Sequence, residues 1–183
     1  MPHEVFYVRL ETTQGPIVLE VHPEWAPRGA QRFRELVEAG FYDENIFYRV
    51  VPGFVAQVGM NGDPSINAAW VKRSLRDDRV VQSNKRGFVT FAATDKPDSR
   101  TTQFFINLRD NTELDQRGFT PFAKVVEGME AADALYSGYK EEPDQGKIGR
   151  RGNAYLKQSF PRLDAITKAS VEERDGVIQV RSE

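Results

Sequence analysis

The stretch that most constrains the fold runs from Phe47 to Val58. Two short apolar runs, Phe47 to Val51 and Phe54 to Val58, bracket Pro52-Gly53. Proline presets φ for one turn position and glycine accepts the positive φ of the next, so the pair suits a tight reversal. The segment therefore predicts two short strands lying side by side. The first carries Arg49 between large apolar residues and the second carries Gln57. A strand that only fills a core has no use for either. A lone arginine in a strand is usually a solvated face, but this one is joined to Gln57 and, downstream, to Gln103-Phe104-Phe105-Ile106. The joint spacing marks a candidate site.

The rest of the chain reads as mostly β. Val5 to Glu11 and Pro16 to His22 alternate apolar with polar residues around Thr12-Thr13-Gln14-Gly15, a hairpin of half-buried strands. Pro27 opens a stretch in which Ala30, Phe33, Leu36 and Val37 share one helical face, and Gly40 follows as a stop. Residues 61–87 lose periodicity in Gly, Asp, Pro, Asn and Ser and predict a long surface loop. Strand character returns at Phe88 to Ala93, Gln103 to Leu108 and Phe122 to Val126, and a short helix is predicted from Gly128 to Tyr136. Residues 139–162 read as an irregular excursion before a last strand from Leu163 to Val171, and residues 172–183 as a tail with a candidate hairpin turn at Asp175-Gly176. No internal repeat is present. This order predicts a single domain over 1–183, a mainly β, closed antiparallel eight-stranded barrel capped by two α-helices.

Composition excludes several functions. A formal net charge of −2, with a pI near 5.8, shows no chain-wide basic excess for nucleic acid or anionic membrane. Cysteine is absent, which removes disulfides, thiolate chemistry and cysteine-ligated metal together. His3 and His22 have no partner at ligand spacing, so no metal is expected. Asp110 to Asp115 imitates a calcium loop, but Leu114 takes a ligand position and the required glycine is missing. Gly149-Arg150-Arg151-Gly152 reads as a solvated loop rather than an RNA site. No apolar stretch approaches ~20 residues and no leader pattern is present, so the expectation is a cytoplasmic chain, or a periplasmic or secreted one if a signal peptide has been removed; a monomer is also expected.

Phe47-Tyr48-Arg49-Val50-Val51-Pro52-Gly53-Phe54-Val55-Ala56-Gln57 followed by Gln103-Phe104-Phe105-Ile106 resembles the signature of the cyclophilins, peptidyl-prolyl cis/trans isomerases. The resemblance spans roughly Val5 to Tyr136 plus a closing strand. It implies that Arg49 is the catalytic residue and that Gln57 orients it. It further implies that Phe54, Val55, Phe105, Leu114 and Phe119 line a proline pocket, and that Ala92, Ala93 and Gln103 contact the substrate backbone. Tyr48 replaces the family's usual histidine, a change expected to affect packing more than mechanism. Glu113 stands where vertebrate members carry a tryptophan that binds cyclosporin, which predicts weak inhibition.

The implied chemistry needs no cofactor. Rotation about an X-Pro bond has a barrier of roughly 20 kcal/mol because amide resonance is lost. No bond is made or cleaved, so a catalyst needs only a site that fits the twisted amide better than either planar form. The twisted proline nitrogen regains a lone pair, and a fixed guanidinium, charged at any working pH, favours that state. The partners implied are proline-containing polypeptides during folding. The rival reading is a noncatalytic Pro-peptide binding or chaperone module, against which Arg49 and Gln57 both argue. A hydrolase using Asp43 and Glu44 has no motif behind it.

Overall fold

A computed structural model of the chain describes residues 4–174. A single antiparallel sheet of nine strands organises it: β1 (Phe6–Thr12), β2 (Gly15–Val21), β3 (Asn45–Ile46), β4 (Arg49–Val51), β5 (Val55–Val58), β6 (Phe88–Phe91), β7 (Phe104–Asn107), β8 (Pro121–Glu127) and β9 (Ala165–Glu172). Their order is β3-β9-β1-β2-β8-β6-β7-β5-β4. The edge strands β3 and β4 are neighbours in sequence, separated only by Phe47 and Tyr48. Three Cα steps from Ile46 to Arg49 span at most about 11 Å, so the sheet must curl until its edges meet.

Where eight strands were expected, the sheet of the described residues counts nine, with no bonded pair between its edge strands β3 and β4. Among the described residues the expected two helices become four, α1 (Pro27–Glu38), α2 (Pro64–Val71), α3 (Met129–Asp133) and α4 (Gln145–Ser159), plus a 3₁₀ turn at Thr112–Arg117. The Asp175-Gly176 turn lies outside the described residues.

Helix α1 buries Ala30, Phe33, Leu36 and Val37, as its spacing predicts, and Phe33 plugs the curl of the sheet. Its ring lies 4.9 Å from Phe122, 5.3 Å from Phe104 and 5.4 Å from Tyr42. Phe47, Phe91, Phe104 and Phe122 are all core residues, as expected. The residue before Pro27 is Ala26, which has no side chain to cap the helix. Asp78 supplies the cap instead, accepting from Gly29 N at 2.9 Å and Arg28 N at 3.2 Å, and it pairs with buried Arg100 at 3.1 Å. The 61–87 segment is thereby tied to the start of α1.

That segment is not a plain loop, because it contains α2. Asp63 caps it, accepting from Ser65 N at 2.9 Å, and Pro64 opens its first turn. Only Asn67 is buried, so no amphipathic period betrays the helix in the sequence. The 139–162 excursion is likewise not irregular: Asp144 caps α4 by accepting from Lys147 N at 3.1 Å. Gly152, at φ 63° and ψ −148°, breaks α4 in the middle. A Cβ there would come 2.0 Å from the carbonyl oxygen of Gly62, so only glycine allows α4 to reach the α2 segment. Ile148, Tyr155 and Leu156 of α4 pack with Ile46, Tyr48 and Met60 in a second apolar cluster.

Candidate active site

Strands β4, β5, β7 and β6 place the motif residues by simple alternation. Val50, Ala56, Ile106 and Val89 are cross-strand partners, all at most 3% exposed, and form the inner face. The next row, Arg49, Gln57, Phe105 and Thr90, pairs in the same register on the opposite face. The turn between β4 and β5 is the one predicted: Phe54 N donates to Val51 O at 3.0 Å, and Gly53 has φ 65°.

On this outer face Arg49 Nη1 donates to Gln57 Oε1 at 2.9 Å. Gln57 Nε2 in turn donates to the Tyr48 hydroxyl at 2.9 Å and to Gln103 Oε1 at 3.0 Å. Tyr48 donates to the same Gln103 oxygen. Burial pushes the Tyr48 phenol well above its ordinary range, against smaller opposing effects of Gln57 and Arg49, so it stays a hydroxyl. The oxygen of Gln103 is thus occupied from two sides, which leaves its amide N–H groups outside this network.

Beside this network lies a third apolar cluster, separate from the main core. Val55, Phe105 and Leu114 are buried in it, with Phe54, Ala92 and Phe119 packed against them. Phe105 and Phe119 meet edge to face at 5.9 Å. Arg49 borders the cluster, its guanidinium carbon 5.9 Å from the Phe54 ring. Six of the expected substrate-binding residues therefore converge on one apolar patch adjoining the arginine. Ala92 N donates to Gln103 O at 2.9 Å, extending the β6–β7 ladder to the site, while half-buried Ala93 lies outside the cluster.

The 3₁₀ turn carrying Leu114 is pinned from below. Asn111 Nδ2 donates to Phe54 O at 3.0 Å and to Asn107 Oδ1 at 2.9 Å. Asp115 accepts from Ser83 Oγ at 2.5 Å, from Asn84 N at 2.8 Å and from Asn84 Nδ2 at 2.7 Å. Burial raises the Asp115 pKa, but these bonds outweigh it and hold the carboxyl below its ordinary range. Glu113 sits exposed on the rim and pairs with Arg109 at 3.3 Å.

Two residues of the site are new. The Tyr48 hydroxyl joins Gln57 to Gln103, a polar link within the site beside the packing effect expected of this replacement. Glu141 binds Arg49 through one oxygen, at 2.9 Å from Nε and 2.6 Å from Nη2. Nothing local in the sequence announces Glu141, which lies 92 residues from its partner. A separate concavity of about 770 Å³, between Gln14–Pro16 and Val125–Ala134, contains none of these groups. Among the described residues no three His, Cys, Asp or Glu side chains are arranged to hold a metal ion.

Residues 7–150 match the family model for the cyclophilin type peptidyl-prolyl cis-trans isomerase/CLD. The chain is 40% identical over 134 residues to the peptidyl-prolyl cis-trans isomerase A of Dickeya dadantii, covering 70% of each chain. It is 33% identical over 170 residues to the peptidyl-prolyl cis-trans isomerase B of Escherichia coli, covering 88% of this chain and 96% of the relative. A crystal structure of a Cryptosporidium parvum cyclophilin type peptidyl-prolyl cis-trans isomerase superposes with a TM-score of 0.69 at 21% identity, over 93% of this chain and 99% of the other. The same parasite protein, crystallised in the presence of the dipeptide Ala-Pro, superposes at 0.67 at 21% identity, over 92% of this chain and 99% of the other.

Proposed function

The chain belongs to the cyclophilin-type peptidyl-prolyl cis-trans isomerases, and from that premise we propose that Arg49 is its catalytic donor, held by Gln57 beside a proline pocket of Phe54, Val55, Phe105, Leu114 and Phe119. The reaction is rotation of an X-Pro bond. The observation that carries the assignment is the Arg49–Gln57 bond lying against an apolar cluster that is separate from the core. In this reading the proline ring enters the cluster, Gln103 and the Ala92–Ala93 backbone hold the flanking peptide, and Arg49 donates toward the substrate amide. The cation then stabilises the twisted state more than either planar one.

The Ala-Pro dipeptide crystallised with the related parasite protein supports a proline-containing polypeptide as substrate here. We further read the chain as one domain, with β3 and β4 as two halves of a single bent strand, which restores an eight-stranded closed barrel. A monomer that works without cofactor, nucleic acid or membrane completes the reading. Glu113, charged and exposed on the rim, supports weak cyclosporin binding.

The test is catalysed cis/trans exchange of an X-Pro peptide, followed by NMR after dialysis against chelator. Undiminished exchange is expected. Binding without acceleration would favour the noncatalytic module, and activity restored by one divalent ion would refute the cofactor-free reading.

A further inference from the structure

The segment after α3 does more than connect elements. Tyr139 packs edge to face on Tyr136 at 5.1 Å and on Phe160 at 5.0 Å. Glu142 N donates to Tyr139 O at 2.9 Å, Pro143 is buried, and Asp144 N donates to the Tyr155 hydroxyl at 3.0 Å. Lys140 is held at φ 52°, a left-handed conformation that a residue with a Cβ rarely adopts. Anchored on both sides and bent at Lys140, the strap presents the next residue, Glu141, to Arg49.

The resulting contact uses donors that a substrate needs. Of the five N–H groups of a guanidinium, Nε and one on Nη2 go to Glu141 and one on Nη1 goes to Gln57. Glu141 remains 61% exposed, against 27% for Arg49, so the carboxylate lies on the open side of the groove. A substrate that engages Arg49 must share it with Glu141 or displace it. A displaced carboxylate is stabilised by a cation beside the proline and destabilised by an anion there. Other charges nearby include Arg109, 5.6 Å from the Phe54 ring and already paired with Glu113, Arg117, 5.5 Å from the Phe119 ring, and exposed Lys140 and Glu142 on either side of Glu141.

We propose that Glu141 is a specificity-determining residue, favouring substrates with basic residues flanking the proline and disfavouring acidic ones. The inference rests on the reading of Arg49 as catalytic donor. Charge interactions over the several ångströms between Glu141 and such flanking residues are modest in a solvated groove and fade with salt.

Acetylated and amidated peptides with Lys-Pro-Lys, Ala-Pro-Ala and Glu-Pro-Glu centres, compared by NMR exchange for wild type, Glu141→Gln and Arg49→Ala, test it. Arg109, Arg117, Lys140 and Glu142 are present in both wild type and Glu141→Gln, so the comparison isolates the carboxylate. The ratio of kcat/KM for the Lys-flanked over the Glu-flanked peptide should be about five- to tenfold larger in wild type than in Glu141→Gln at low salt. The neutral peptide should turn over about two- to fivefold faster in the variant, whose arginine is no longer neutralised. Equal ratios in the two proteins would overturn the proposal. So would a loss beyond about threefold on the neutral peptide, because Glu141 would then hold Arg49 in place rather than compete for it. An Arg49→Ala protein as fast as wild type is a different failure, since it removes the donor assignment on which the proposal rests.

Discussion

Replacing Arg49 by alanine separates the chemistry from the fold. The ion pair with Glu141 is largely exposed and contributes only about 0 to 1 kcal/mol. The bond to Gln57 matters more, because Gln57 is 6% exposed and its carbonyl oxygen would lose the arginine it accepts from. An unsatisfied buried acceptor costs about 1 to 3 kcal/mol, so the variant should stay folded with a modestly lower Tm. Turnover should suffer far more. Accelerating an X-Pro bond from tens of seconds or minutes to about a millisecond requires a factor near 10⁵, or roughly 7 kcal/mol. One preorganised donor supplies about 3 to 4 kcal/mol of such an effect. Arg49→Ala should therefore lower kcat/KM by about 10² to 10³, and the pocket alone should leave a similar residual factor over the spontaneous rate. Arg49→Lys should recover stability better than rate, since one ammonium cannot hold Gln57 and the substrate in a single plane. NMR exchange and thermal melting on the same preparations decide it. A folded Arg49→Ala protein within threefold of wild-type turnover would refute the assignment.

Three further perturbations probe the surroundings of the arginine. Tyr48→Phe removes a hydroxyl that bridges Gln57 and Gln103, and should cost about 1 kcal/mol of stability while raising KM more than it lowers kcat; unchanged kinetics would return Tyr48 to a packing role. Phe105→Ala should cost about 3 kcal/mol and weaken peptide binding, because the ring is buried yet borders the pocket; a folded variant with normal KM would make Phe105 a core residue only. Asp115 has its pKa lowered in the fold, so its contribution is complete above its unfolded value near 3.9 and is lost as pH falls through the lower folded value. The Tm difference between wild type and Asp115→Asn should therefore shrink between about pH 6 and about pH 3. A difference that held constant or grew would show that the carboxylate is not what pins the 3₁₀ turn.

How far the chain could be read depended on the range of the signal. The hairpin of β1 and β2, the α1 face and the Pro52-Gly53 turn are local patterns, since a period of two or 3.6 and a turn dipeptide declare themselves within a few residues. Helix α2 escaped because its one buried residue, Asn67, is polar, although Asp63-Pro64 is a legible start signal. Helix α4 escaped because Gly146, Gly149 and Gly152 lower helix propensity, and Gly152 breaks the period between Ile148 and Tyr155.

The amino-acid sequence by itself determined which residues of each strand alternate to one face, and through the Pro52-Gly53 turn it set Arg49 beside Gln57 while sending Val50 and Ala56 inward. Only the tertiary structure decided what meets that pair from elsewhere. Tyr48 gains its role from a glutamine 55 residues away and Arg49 its counter-charge from a strap 92 residues away. Strand alternation follows from the geometry of each backbone unit, whereas a side-chain bond between distant segments exists only once packing has fixed both of its ends.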